Sequence, residues 1–213
     1  MTYLENGSDK VLYHAAEGRK TVLLIGDSMM RGSCEATKAA LADVADVIFP
    51  GENCRNSQYI ITRIRAWSQE LDGEHVDLVH FNCGQWDTGH FNRDEDVLTP
   101  VDQYERNIHC IIRNIRRLFP NAAICMGTTT PINPDESCLA TANNPRTRKD
   151  IIAYNAAAVR AAQAEGVPVD DIFAATADWP TDRYIDMCHF TPEAFIEMGN
   201  IVADYLRKQL ETL

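Results

Sequence analysis

Apolar and polar positions along the chain fall into two alternating patterns. Short, mostly apolar runs of four to seven residues recur at 22–25, 44–49, 76–81, 122–126 and 167–173. Their length, β-branched content and flanking turn residues suit strands buried on both faces. Between them lie stretches whose apolar residues recur every three to four positions, the helical period. Residues 57–71 place Ile60, Ile61, Ile64 and Trp67 on one face. The stretch from Thr99-Pro100 to about 118 places Ile108, Ile111, Ile112 and Ile115 inward, with Thr99 as the expected cap and proline in the first turn. Further helices are expected over about 34–43, over the alanine-rich 149–165, and from Thr191-Pro192 to about 209. Residues 1–20 show no strong period and read as an N-terminal arm on a domain edge.

Strand and helix alternate at least five times. That order calls for a parallel sheet covered by helices on both faces, a three-layer α/β/α sandwich in one domain spanning 1–213. Three long loops interrupt it, at 86–99, 128–144 and 178–190. Loops this long are usually functional or disordered.

The chemistry begins at the first strand. Residues 21–31 read Thr-Val-Leu-Leu-Ile-Gly-Asp-Ser-Met-Met-Arg: a buried strand, a glycine that permits a sharp turn, then Asp27 and Ser28, residue types that start helices. Ser28 therefore sits at the carboxyl edge of the sheet, where ligands of open α/β folds bind, and at a helix N-terminus that favours an anion. A serine so placed is either a helix cap or a nucleophile whose own N–H helps hold the oxyanion it creates. Near the other end, Asp186-Met187-Cys188-His189 puts a carboxylate three residues before an imidazole. In a tight turn that Asp accepts from His Nδ1–H and leaves Nε2 free to take a proton from a hydroxyl. The alternative is a hydrogen bond that shapes a helix entry. Ser28 follows strand one and Asp186/His189 follows strand five, so a parallel sheet brings both to one edge.

Gly26-Asp27-Ser28, Gly51 after strand two, Asn82 to Asp87 after strand three and Asp186-x-x-His189, in that order, resemble the SGNH/GDSL hydrolases (esterases and lipases). The resemblance implies a flavodoxin-like fold with a five-stranded parallel sheet. It implies Ser28 as nucleophile, His189 as base, Asp186 as its orienter, and an oxyanion hole from the Ser28 and Gly51 N–H groups and an asparagine side chain. Two positions depart from the family pattern. Met29 stands for leucine, a nearly isosteric change. The block usually written Gly-x-Asn-Asp reads Gly84-Gln85-Trp86-Asp87. Asn82 lies two residues before Gly84, on the same side of an extended strand, so the oxyanion role moves to Asn82. Asp27, Asn53, Trp86 and His90 are candidate substrate contacts. For Trp86 an aromatic platform and core cover are equally consistent readings, and for Asn53 loop shaping is the simpler one.

Composition narrows the partners. The 213 residues carry a net charge of −11, which disfavours nucleic acid or an anionic membrane surface and suits a neutral or cationic small-molecule ester. Seven cysteines are scattered without C-x-x-C or zinc spacing, which fits reduced thiols and a cytoplasmic protein. No apolar run at the N-terminus suits a signal peptide or a membrane span. No metal or cofactor is required; the Gly-Asp-Ser turn lacks the further glycines of a dinucleotide fingerprint. The expected activity is hydrolysis of small O-acyl esters, short acyl groups on carbohydrates foremost. A lysophospholipase or thioesterase, a non-catalytic ligand-binding module of the same fold, and a nucleotide- or flavin-binding α/β protein are the alternatives. The oligomeric state is left open.

Overall fold

The computed structural model describes residues 16, 18–135 and 137–213. The N-terminal arm expected over 1–20 lies almost wholly outside the described residues, and Lys20 already begins the first strand. The strands are β1 (Lys20–Ile25), β2 (Ala45–Ile48), β3 (Leu78–Phe81), β4 (Ala123–Gly127) and β5 (Val169–Asp170). The helices are α1 (Ser28–Ala40), α2 (Ser57–Glu70), α3 (Val101–Leu118), α4 (Ser137–Thr141), α5 (Arg148–Ala164), α6 (Ile172–Thr176) and α7 (Pro192–Leu210). The five strands pair in parallel in the order β2-β1-β3-β4-β5. That is the flavodoxin-like doubly wound order, whose switch point lies between β1 and β3.

The pleat sorts the core. Leu23 and Ile25 of β1, with Val79 and Phe81 of β3, face α2, α3 and α5. Val22 and Leu24, with Leu78 and Cys125, face α1 and α7. Both layers are solvent-free at their centres, which explains why the strands read as unbroken apolar runs. Ile108, Ile111, Ile112 and Ile115 of α3 are buried as expected, and in α2 Ile60, Ile64 and Trp67 are buried while Ile61 is half-exposed.

Four expectations are corrected. First, α1 spans Ser28–Ala40, so the range 34–43 covers only its second half and overshoots its end, while Ser28 opens the helix as its turn implies. Gly32 and Ser33 weaken the helical signal, yet packing overrides propensity: Gly32 lies against the Phe195 ring and the buried Ser33 hydroxyl donates to the Met30 carbonyl at 3.0 Å. Second, the strand expected over 167–173 stops at Asp170, because Asp171 caps α6 by accepting from the Ala174 N–H. Third, the loop at 128–144 contains α4. Fourth, Thr99 does not cap α3; its hydroxyl donates to Gln58 and its N–H to the Asp87 carbonyl, so Pro100 occupies the cap position without a side-chain bond. Thr191 does cap α7, accepting from the Ala194 N–H, with Pro192 in the first turn.

α1 and α7 cross closely. The Thr37 hydroxyl donates to the Gly199 carbonyl at 3.1 Å. A Cβ on Gly199 would stand 2.6 Å from Ala36 Cβ and 2.8 Å from the Ser33 carbonyl oxygen. Ser28 opens α1, and His189 lies three residues before α7, so this crossing sets their separation. Gly→Ala inside a helix ordinarily stabilises by about 1 kcal/mol. Gly199→Ala should instead destabilise by about 1–3 kcal/mol, the range for overpacking, as read from urea unfolding midpoints. A more stable variant would contradict the close crossing.

Candidate active site

The β1–α1 junction is the tightest place in the fold. A Cβ on Gly26 would fall 2.1 Å from Asn82 Oδ1 and 2.3 Å from Met30 Cβ, so only glycine fits. Asp27 takes the cap position of α1, accepting from the Met29 N–H at 3.0 Å. Capping is therefore done by Asp27, and the hydroxyl of Ser28 is left to another partner. That partner is His189: Ser28 Oγ and His189 Nε2 lie 2.8 Å apart. His189 Nδ1 lies 2.8 Å from Asp186 Oδ2. An ionised carboxylate can only accept, so Nδ1 carries the proton and Nε2 is the acceptor for the serine hydroxyl.

The Asp186–His189 turn is built to hold this geometry. Asp186 Oδ1 accepts from the N–H groups of Cys188 and His189, both at 2.8 Å. Burial raises the Asp186 pKa, but these two N–H donors and the His189 ring outweigh it and leave it lowered. Ile185 N–H donates to the His189 carbonyl, and Tyr184 bridges to Phe190. The buried Phe190 ring packs on Trp179, Tyr184 and Phe195. From the 128–144 loop, Asn133 accepts nothing from this turn but ties it twice, its N–H to the Met187 carbonyl and Nδ2 to the Asp186 carbonyl.

Gly51 and Asn82 approach the same junction. The Cys54 N–H donates to the Gly26 carbonyl at 3.1 Å and draws in the loop that carries Gly51. Glu52 anchors that loop by accepting from the Tyr59 hydroxyl, Arg63 and Trp67 Nε1. The N–H groups of Ser28 and Gly51 meet no acceptor among the described residues. Asn82 closes β3 and donates its N–H to the Ile25 carbonyl. Its side chain is fully buried beside Gly26, and neither Nδ2 nor Oδ1 has a partner. An orphaned buried amide costs about 1–3 kcal/mol and calls for an explanation, a catalytic role being one.

The four candidate substrate contacts have other tasks in the structure. Asp27 is fully buried and caps α1, so it reaches no substrate. Asn53 shapes its loop by accepting from the Arg55 N–H. Trp86 is half-buried against Phe91, with ring centres 5.5 Å apart. His90 is held by the Asp94 carbonyl at 3.1 Å and lies 3.5 Å from Asp150. Asp87 pins the loop after β3 by accepting from the Ser57 hydroxyl and N–H.

Two residues had no sequence signal. Arg146 is 92% buried at 8% exposure, donating from Nε to the Gln85 carbonyl and from Nη1 to the Asn144 carbonyl. It lines a cleft of about 470 Å³ with Asn143, Asn144, Asp186 and His189, within the size range of ligand pockets. Asn133, described above, is the other. Asp186, Cys188 and His189 also form a group whose ligand atoms lie within 4.8 Å of one another, a cluster that spacing alone did not suggest. Burial pushes the Cys188 thiol up to about 12, which disfavours the thiolate a metal would need.

Burial raises the Asp27 carboxyl from its ordinary 3.8 to about 6, against the pull of the Met29 N–H, the Arg146 charge and the Gln85 N–H. The folded protein therefore holds this proton more tightly than the unfolded chain. The stabilisation is complete below about pH 4 and is lost as pH rises through about 6, with a slope of up to about 1.4 kcal/mol per pH unit. Asp27→Asn removes this titration. Its unfolding free energy relative to the unsubstituted protein should rise between pH 4 and pH 7; a difference that stays flat would contradict the raised carboxyl.

Comparison with known proteins agrees with this geometry. No curated protein matches the sequence. Among solved structures, a lipase/acylhydrolase from Enterococcus faecalis superposes with a TM-score of 0.68 at 19% identity, covering 89% of this chain and 96% of that one. A carbohydrate acetylesterase from Sinorhizobium meliloti gives 0.66 at 16% identity, covering 90% and 100%. A carbohydrate esterase family 3 protein from Talaromyces cellulolyticus gives 0.65 at 17%, covering 91% and 99%. At these identities the likeness establishes the fold. The profile of the GDSL-like Lipase/Acylhydrolase family matches residues 24–194, a span that contains Ser28, Gly51, Asn82, Asp186 and His189. The chain belongs to that family and is a carboxylic ester hydrolase of the SGNH/GDSL type.

Proposed function

We propose that the chain is a serine esterase of small O-acyl esters, acetylated carbohydrates foremost, working through an acyl-enzyme on Ser28. The unbroken hydrogen-bonded series Ser28–His189–Asp186 is the observation that carries this reading. Ser28 Oγ attacks the ester carbonyl carbon while its proton passes to His189 Nε2. Asp186 stabilises the imidazolium that forms. The Oγ–C bond forms, the carbon–oxygen bond to the alcohol breaks, and the alcohol oxygen takes the proton from Nε2. Water then repeats the sequence on the acyl-enzyme and frees the acid.

The free N–H groups of Ser28 and Gly51 suit the two backbone positions of an oxyanion hole. Asn82 supplies the third donor in this reading. Its amide is covered in the free protein, so the role requires the Gly26–Ser28 turn to yield to a bound ester. In the cleft beside His189, Asn143, Asn144 and Arg146 stand among the apolar side chains of Ala142, Ile185 and Met187; the three polar groups suit a short polar ester better than the long acyl chain of a lysophospholipase. The two carbohydrate esterases among the similar structures support the same substrate class. The intact series argues against a non-catalytic module. Among the described residues no helix is long and apolar enough to cross a membrane, and the seven free thiols suit a reducing, cytoplasmic setting.

A fluorophosphonate should phosphonylate Ser28 with loss of fluoride, adding one adduct by intact mass. Equal labelling of the unsubstituted protein and Ser28→Ala would refute the nucleophile. Asn82→Ala should lower kcat by ~10²–10³ with little change in KM, the signature of a contact made in the transition state. Trp86→Phe should leave kcat nearly intact and alter KM. The reverse pattern would return the donor role to position 86.

A further inference from the structure

His189 returns its proton to the alcohol oxygen, so the alcohol leaves past the His189 side of the site. The cleft of about 470 Å³ lies on that side, lined by Asp186 and His189 together with Asn143, Asn144 and Arg146. It is therefore where the alcohol half of the ester would sit. One of its polar groups is unusual. Arg146 is nine-tenths buried, yet only two of its N–H groups are spent, both on carbonyls. A guanidinium has five N–H donors in a flat fork that matches a carboxylate. Among the described residues Arg146 forms no ion pair. The carboxylate that feels its charge, Asp27, is buried under the α1 cap; its Oδ1 accepts from the Met29 N–H and its Oδ2 has no hydrogen-bond partner among the described residues, and neither oxygen pairs with Arg146. Asp186, which also lines the cleft, is occupied by three donors of its own turn.

A buried cation that no carboxylate engages in a direct ion pair is expensive unless something charged completes it. Arg146 is held by the two carbonyls and lines the cleft, so engaging it would cost little further side-chain entropy. We infer that Arg146 recognises a carboxylate on the alcohol half of the substrate, which makes the preferred substrate the O-acyl ester of a carboxylate-bearing alcohol such as a sugar acid. This rests on the esterase reading above and sharpens it. The net charge of −11 disfavours anions over the surface as a whole; Arg146 is a local exception placed beside the reacting bond.

The test compares two aryl acetates of one shape, 4-acetoxybenzoate and its neutral methyl ester. The readout is the ratio of their kcat/KM values, which cancels general damage to the site. In the unsubstituted protein the anionic ester should be preferred through a lower KM. Arg146→Gln should lower that ratio by about 10–100-fold, the worth of a hydrogen bond to a charged group. Arg146→Lys, which keeps charge without the fork, should fall between. A ratio unchanged in Arg146→Gln would overturn the inference. So would a loss shared equally by both esters, because Arg146 would then only staple the loops at 85 and 144. If Arg146→Gln does not fold, the unsubstituted protein decides: inhibition by 4-hydroxybenzoate should be stronger than by 4-hydroxybenzamide, and the opposite order would overturn it. If neither ester turns over, the esterase reading fails. Calorimetric titration with 4-hydroxybenzoate then still tests Arg146, with binding expected and its absence contradicting the anion site.

Discussion

The site depends on how closely three chain segments approach one another at Gly26. No Cβ can be accommodated there, because Asn82 from β3 and Met30 from α1 already fill the space. The same residue's carbonyl accepts from Cys54, and the neighbouring Ile25 carbonyl accepts from Asn82. One glycine thus stitches together the turn with Ser28, the loop with Gly51 and the strand end with Asn82. The Ser28 turn and Asn82 lie at the β1/β3 switch point, where the doubly wound order opens a crevice at the carboxyl edge, and the loop with Gly51 follows β2 on the other side of β1.

The second half of the site is brought to this crevice by helix packing. α1 and α7 meet through Gly199 and Thr37, and Ser28 and His189 lie at the neighbouring ends of these helices. Asp186 reaches His189 within its own turn, so the carboxylate and imidazole move as one unit. The energetic distribution is uneven. Asp186 is half-exposed with a lowered pKa, ready to stabilise an imidazolium, whereas Asp27 is buried with a raised one and serves the helix start. Two carboxylates near one serine are separated by environment into an electrostatic partner and a structural cap.

The parts of this account that were legible in the sequence are those fixed by local chemistry. β1, the Gly26 turn and the α3 isoleucine face follow from short-range pattern, and Thr191-Pro192 announced α7 correctly. Asp186 and His189 are three residues apart, so their pairing needed no long-range knowledge. The start of α1 was obscured because Gly32 and Ser33 look like helix breakers until Phe195 and the Met30 carbonyl are placed beside them. β5 was overextended because Asp171 acts as a cap, which an apolar run conceals. Arg146 and Asn133 sit in a loop with no period, and their meaning comes only from partners far away in the chain. Asp27 is a candidate substrate contact by its place in the turn motif, and its burial under the α1 cap shows only in the fold.

The central claim is that Ser28 carries the acyl group during turnover. Rapid acid quenching of a reaction with an activated acetate ester, followed by peptide mass mapping, measures this directly. The account predicts a transient gain of one acetyl group on the peptide containing Ser28, formed at the rate of the product burst and accumulating further in Asp186→Asn if deacylation is slowed more than acylation. An acetyl group that appears on another residue, or a burst in Ser28→Ala equal to that of the unsubstituted protein, would contradict it.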